Sequence, residues 1–207
     1  MAETRERIIT ATAELFRRQG YNGTSMKAVT EAADVPFGSL YHFFPDGKAQ
    51  LAGVVIRSSG AAYRELFELI WAGADDAPSA VTDFFDGAAA VLTETDYVDA
   101  CPIGTVALEV ASTNDELRAA THEVFSSWVD AAAARFRGAG IDADRAAALA
   151  TTFVAAVEGG FMLSRAARSP EPMRTAGRLV RELVAATPAA GPATPSRPHR
   201  SGAPAEH

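Results

Sequence analysis

Apolar residues recur along this chain at intervals of three and four, the spacing that lays a stripe on an α-helix. Ile8, Ile9, Leu15 and Phe16 open the pattern, and Gly20 follows as a helix stop. After the turn Tyr21-Asn22-Gly23, Thr24 or Ser25 can cap a short second helix whose inward residues are Met26, Val29 and Ala33. Asp34-Val35-Pro36 breaks that helix. Proline is tolerated at the first helical position, where its missing N–H costs nothing, so a third helix begins at Pro36 and runs through Phe44, ended by Pro45-Asp46-Gly47. From Lys48 a longer helix carries Leu51, Val54, Val55, Leu66, Phe67, Ile70 and Trp71, with an interruption expected near Gly60. Further helices are expected over about 79–96, 103–112, 115–137, 143–168 and 171–186. No hairpin signal occurs, so the fold class is all-α.

Composition agrees with that pattern. Of 207 residues 44 are alanine, the strongest helix former. A single cysteine, Cys101, excludes an intrachain disulfide framework and a cysteine-rich zinc site. With Asp96 and Asp99 nearby and apolar residues after it, its thiol should be buried and inert. The histidines, His42, His122, His199 and His207, show no metal-ligand spacing, so neither metal nor other cofactor is expected. No uninterrupted apolar run approaches the ~20 residues that cross a bilayer, and charges from Glu3 to Arg7 replace a signal core. The expectation is a cytoplasmic protein without a membrane partner. From Thr187 onward Pro188, Pro192, Pro195, Pro198 and Pro204 stand among Gly, Ala and Ser, and 187–207 is expected to be a disordered tail.

The formal net charge of -7 is unevenly spread. Residues 1–64 hold eight Lys or Arg against six Asp or Glu, while residues 65–207 hold eleven against twenty. A mildly basic head sits on an acidic body, a split that suits a head meeting an anion. Two short helices joined by a tight turn describe a helix-turn-helix, whose second helix can enter the DNA major groove. With Leu40 and Phe44 as a buried pair at i and i+4, the outward side of the third helix offers Phe37, Gly38, Ser39, Tyr41 and His42. Their hydroxyls can bond phosphate oxygens, the glycine lets backbone approach, and an apolar ring can pack on a thymine methyl. Lys48 adds a charge at the start of the next helix, where backbone N–H groups already favour an anion.

At these residues the chain resembles the TetR family of one-component regulators. The pattern reads Thr24-Ser25-Met26-Lys27, then Ala33-Asp34-Val35, then Gly38-Ser39-Leu40-Tyr41-His42-Phe43-Phe44 and Lys48, over about residues 4–55. Phe37 to His42, Phe44 to Lys48, and the body segment Ala100-Cys101-Pro102-Ile103-Gly104-Thr105-Val106-Ala107-Leu108-Glu109 resemble the LmrA/YxaF-like branch. The resemblance implies an all-helical homodimer that binds a palindromic operator in double-stranded DNA, usually represses, and releases DNA when a small-molecule effector enters the C-terminal domain. It adds Thr24, Ser25 and Lys27 to the DNA-binding candidates. The implied organisation is a helix-turn-helix domain over 1–47 and an effector-binding and dimerisation domain over 48–186, with 48–64 as connecting helix. Asp34 stands where the family commonly has glycine, and it must take a left-handed conformation for the turn to survive. Phe37 and Phe43 also depart from the family's frequent residues, so the operator sequence does not carry over.

In the body, large rings spaced among alanines either fill a core or leave a mainly apolar cavity with a few polar groups, as small-molecule sites do. The candidates for the effector site are Trp71, Phe85, Cys101, Val106, Phe125 and Trp128, with Glu109 or Glu158 as polar partner. The last two helices carry apolar groups on two sides and need two neighbours. A second subunit would cover Phe153, Val157, Phe161, Leu179, Val180 and Leu183, with Gly159-Gly160 allowing close approach. The alternative to a dimer is a thicker monomeric bundle. Two rival functions are an effector-independent activator or global regulator, and an α-helical enzyme acting on an apolar substrate. The enzyme would need catalytic machinery, and the chain has no Gly-rich phosphate motif, no Gly-x-Ser-x-Gly elbow and no His-Glu-x-x-His.

Overall fold

A computed structural model describes residues 2–188. The tail expected over 187–207 lies outside these residues from position 189 onward. Among the described residues the chain forms nine helices and no strand. Helices α1 (Ala2–Gly23), α2 (Met26–Ala33) and α3 (Phe37–Phe43) make the head, α4 (Lys48–Gly73) leaves it, and α5 (Ala77–Glu94), α6 (Pro102–Val110), α7 (Asp115–Gly138), α8 (Ala143–Ala167) and α9 (Glu171–Ala185) complete the body.

The helix-turn-helix is held by local chemistry. Ser25 caps α2 by accepting the Ala28 N–H at 3.0 Å. Asp34 ends α2 in the left-handed conformation, φ 51° and ψ 56°. Arg7 of α1 secures that turn by donating to the carbonyls of Ala33 and Asp34 at 2.6 and 2.5 Å. Pro36 stands one residue earlier than expected, as the extended N-cap of α3 and not as its first helical residue. Leu40 and Phe44 are both buried.

Of the two glycines expected to break helices, Gly20 does and Gly60 does not. Gly20 stops the regular helix as expected, with non-helical backbone at φ 73° and ψ -178°, and a short helical stretch follows the kink as far as Gly23. A Cβ there would meet the flexible end of the Glu109 side chain on α6, and the positive φ is what calls for glycine. Gly60 does not interrupt α4, which is continuous. It is buried where α4 meets α7: an added Cβ would fall 2.5 Å from the Val124 side chain, and Trp128 Nε1 donates to the Gly60 carbonyl at 2.9 Å. The missing side chain marks a close helix approach instead of a break.

Apolar burial falls into two clusters. The first joins Ile8, Phe16, Val29 and Leu40 of the head to Leu51, Val55 and Ile56 of α4, and continues without a gap into Ile103, Val106, Leu117 and Val124 of α6 and α7. The second, around Phe67, Phe85, Phe136, Leu149, Phe153, Met173 and Val180, is built where α5, α7, α8 and α9 pack. By length and composition α8 could cross a membrane, with mean hydropathy 1.6 over its most apolar stretch. It packs on α7 and α9, which cover one of its sides.

Gly60→Ala should destabilise the protein by about 1–3 kcal/mol through overpacking. Val124→Ala should relieve most of that penalty in the double variant, to be measured by denaturant unfolding; additive losses would show that the two positions do not touch.

Candidate functional site

The outer face of α3 is unobstructed. Phe37 and Tyr41 are 52% and 42% exposed, and their rings lie 5.3 Å apart, forming one apolar ridge. His42 is exposed beside them and Ser39 is half-buried. A Cβ on Gly38 would meet nothing within 4 Å, so packing inside the chain does not require glycine there. Lys27, well exposed, stands 3.6 Å from Glu31 one turn along α2. Ser25 is exposed but its oxygen is committed to the helix cap.

Two DNA-binding candidates sit differently from the sequence expectation. Thr24 is 1% exposed and donates its hydroxyl proton to the Gly20 carbonyl at 2.7 Å, so it fastens the α1–α2 turn and has no surface for a phosphate. Lys48 is half-buried, its Nζ 4.2 Å from the centre of the Tyr21 ring. Burial lowers its pKa, and the Glu109 carboxylate acts in the opposite sense.

In the body a cavity of about 500 Å³ opens between the helices, with walls contributed by α1, α4, α5, α7 and α8 and by residues 99–101 of the α5–α6 connection. Phe67, Phe84 and Phe153 meet edge to face at 5.1–6.0 Å along one side. Tyr63 and Trp128 meet at 6.1 Å on another. The polar groups are few: Arg17, Tyr63, Arg64, Asp99, Cys101 and Glu158. Glu158, on α8, has the Cys101 thiol beside it, and a Cβ on Gly104 would lie 2.2 Å from its Oε2. Gly104 therefore makes the space that this carboxyl fills. Burial raises the pKa of Glu158, and a hydrogen bond from Cys101 offsets part of the rise. Burial, followed by the charge of Glu158, pushes the Cys101 thiol well up. A thiol held protonated is a poor nucleophile, in keeping with an inert buried cysteine.

Of the effector candidates, Cys101, Trp128 and Glu158 line this cavity. The other five do not. Trp71 packs on Phe67 and Phe136, Phe85 fills the space above Gly177, Val106 is fully buried in the first core, and Phe125 packs on Trp128. Glu109 reaches away from the body and accepts the Asn22 N–H at 2.6 Å. Three residues assigned from the sequence to a subunit seam, Phe153, Val157 and Phe161, line the cavity instead. Val180 is buried within its own protomer, and Met173 of the same chain fills the notch at Gly160. Leu179 and Leu183 are exposed, together with Met162 and Leu163, which the stripe analysis missed. Helical periodicity could not separate these positions, because α8 is apolar around most of its circumference and only its neighbours decide which side is covered.

Arg17 was also missed. It lies on α1, within the head, yet it lines the cavity. Its Nε donates to Asp99 at 3.1 Å, Arg18 approaches the other oxygen of Asp99 at 3.4 Å, and the Ala100 N–H donates to the Arg17 carbonyl at 3.3 Å. Asp99 belongs to the connection between α5 and α6, where Asp96 and Tyr97 both take left-handed backbone, φ 50° and 59°. Such residues cost energy and persist where surroundings hold them. Arg165 of α8 holds this pair from the far side, donating to the carbonyls of Tyr97 and Val98 at 3.2 and 3.1 Å.

A helix-turn-helix with a free outer face, joined through α4 and α6 to a cavity-bearing helical body, defines a transcriptional regulator that binds DNA. The chain belongs to the TetR family, with an LmrA/YxaF-like C-terminal domain: residues 8–55 match the bacterial regulatory proteins of the tetR family and residues 77–179 match the transcriptional regulator LmrA/YxaF-like C-terminal domain. The HTH-type transcriptional regulator LmrA of Bacillus subtilis is 32% identical over 189 residues, covering 88% of this chain and 97% of that one. A crystal structure of a regulatory protein TetR from Rhodobacter sphaeroides superposes with TM-score 0.77 at 25% identity, covering 86% and 97%. The fold is also that of a cysteine mutant of the TetR family regulator CifR complexed with 26 bp double-strand operator DNA, with TM-score 0.73 at 20% identity over 88% and 96%. These matches are to regulators and not to enzymes.

Because its pKa is raised in the folded chain, Glu158 supports stability below its unfolded pKa and loses that support as pH rises through the folded value. Glu158→Gln should therefore raise Tm relative to the parent more at about pH 8 than at about pH 5. Calorimetry at both pH values checks this, and equal shifts would contradict it.

Proposed function

We propose that the protein is a cytoplasmic homodimeric repressor that binds a palindromic operator and releases it when a small, mainly apolar molecule fills the body cavity. One observation carries this reading: the cavity wall includes Arg17 of the DNA-binding head, ion-paired to Asp99 of the body. A molecule that displaces either partner acts directly on α1. The first apolar core runs from α3 through α1 to α6, so movement of α1 carries the recognition helix with it. In energetic terms, effector and operator are coupled. Whatever factor the effector takes from DNA affinity, DNA takes from effector affinity.

A second copy is supported by the outer faces of α8 and α9, where Met162, Leu163 and Leu179 are 57–60% exposed. An apolar patch on two adjacent helices suits a two-fold interface, in which the same surface serves both partners. Two recognition helices could then enter successive major grooves about 34 Å apart. Phe37 and Tyr41 would meet base edges, with Ser39, His42 and Lys27 at the phosphates.

Two measurements test the proposal. Leu163→Asp combined with Leu179→Asp should give monomers in sedimentation and weaken operator binding by about two orders of magnitude, since one-headed binding loses the gain from linkage; dimers of full affinity would exclude this interface. Asp99→Asn should still bind operator, while the effect of a cavity-filling compound on that binding, typically about 5–150-fold in such systems, shrinks towards none. An undiminished effect in titrations with and without compound would remove Arg17–Asp99 from the switch.

A further inference from the structure

The cavity carries a carboxyl group for which the chain supplies no cation. Arg17, in the cavity wall, is committed to Asp99, where Arg18 joins it. Arg64, also in the wall, is exposed. The Cys101 thiol just before α6 lies beside Glu158 and the Tyr63 hydroxyl on α4 lies within reach of its charge, while the rings of Trp128 on α7 and Phe161 on α8 line the same cavity. None of the ion pairs among the described residues includes Glu158.

The placement is specific. Glu158 keeps accessible surface although it is deep in the bundle, and the cavity is what it faces. Gly104 leaves the room it occupies, as a Cβ there would collide with it. A lone carboxyl in an apolar cavity is unfavourable when ionised, unless a positive group arrives with its hydrogen bonds. Aromatic faces add attraction for a cation, more so when water is excluded. The body as a whole is acidic beyond residue 64, so its field favours entry of a positive molecule.

We infer that the cavity takes a hydrophobic cation, an aromatic molecule bearing a protonated amine, with Glu158 as counter-ion and the rings of Tyr63, Trp128 and Phe161 around the apolar part. This rests on the cavity being the effector site, and it narrows the chemistry of that effector. The raised pKa of Glu158 is the same feature seen without the ligand: burial penalises the charge until a cation offsets it.

Three isosteric fluorescent probes decide it: anthracenylmethylammonium, anthracenylmethanol and anthracene carboxylate, titrated into the whole protein without DNA. The ammonium probe should bind at least about tenfold tighter than the alcohol, the margin of a charge-assisted over a neutral hydrogen bond. Glu158→Gln should abolish that margin while the alcohol still binds, which also shows that the variant is folded. Glu171→Gln, an exposed carboxylate outside the cavity wall, should leave the margin intact and so control for net charge. Lowering the pH should weaken the ammonium probe as Glu158 takes up a proton, and leave the alcohol unchanged. An alcohol or carboxylate that binds as tightly as the ammonium, or a margin that survives Glu158→Gln, overturns the inference while leaving the effector site standing. If none of the three binds, the cavity is not a ligand site and both readings fall together.

Discussion

Besides α4, which runs out of the head, the contact between α1 and α6 ties the DNA-binding head to the body. Ile8 and Phe16 on α1 are buried in the same apolar cluster as Ile103, Val106 and Val110 on α6. Two polar ties flank this shared core: Arg17 to Asp99 at one end and the Asn22 N–H to Glu109 at the other. The kink at Gly20 lies between them, in a positive-φ backbone that favours glycine. Interiors are close-packed, so a shift of α6 cannot be absorbed locally; α1 must follow or the core must open. A head with its own separate core would be free to swing, and no such freedom is built in here.

The α5–α6 connection concentrates opposing demands in a few residues. Asp99 is pulled towards the head by Arg17 and Arg18, while Arg165 anchors the carbonyls of Tyr97 and Val98 to α8, the helix that also presents Met162 and Leu163 to the outside. Left-handed backbone at Asp96 and Tyr97 bends the chain sharply enough for both attachments. One short segment thus touches the DNA-binding head, the cavity and the helix with the exposed apolar face. Interactions at such a point are partly desolvated, and charges there act more strongly than surface pairs, which are screened.

Charge distribution sets how the head meets DNA. The overall -7 conceals a head and connecting helix in which Lys and Arg slightly outnumber Asp and Glu. Long-range attraction to a polyanion is therefore modest, and close contacts have more of the affinity to supply. The body beyond residue 64 is acidic overall, and its cavity holds the carboxyl of Glu158.

Local patterns determined much of this protein. The helices and most of their limits, the Ser25 cap, the left-handed Asp34, the buried Leu40–Phe44 pair and the outward face of α3 are set by interactions within a few residues, which periodicity and turn chemistry register directly. Gly60 was the exception, since the sequence does not distinguish a helix break from a close approach; Val124, distant in the chain, decided it. Tertiary structure alone decided which aromatic rings frame the cavity and which fill the core. Phe153 and Phe161 look like seam residues on a helical wheel, but both line the cavity. It also took Glu109 from the cavity to the head, and brought Arg17 from the head to the cavity. The physical reason is range: helix propensity and capping act over one or two turns, whereas a cavity or an ion pair across 82 positions of chain exists only once separate helices have packed.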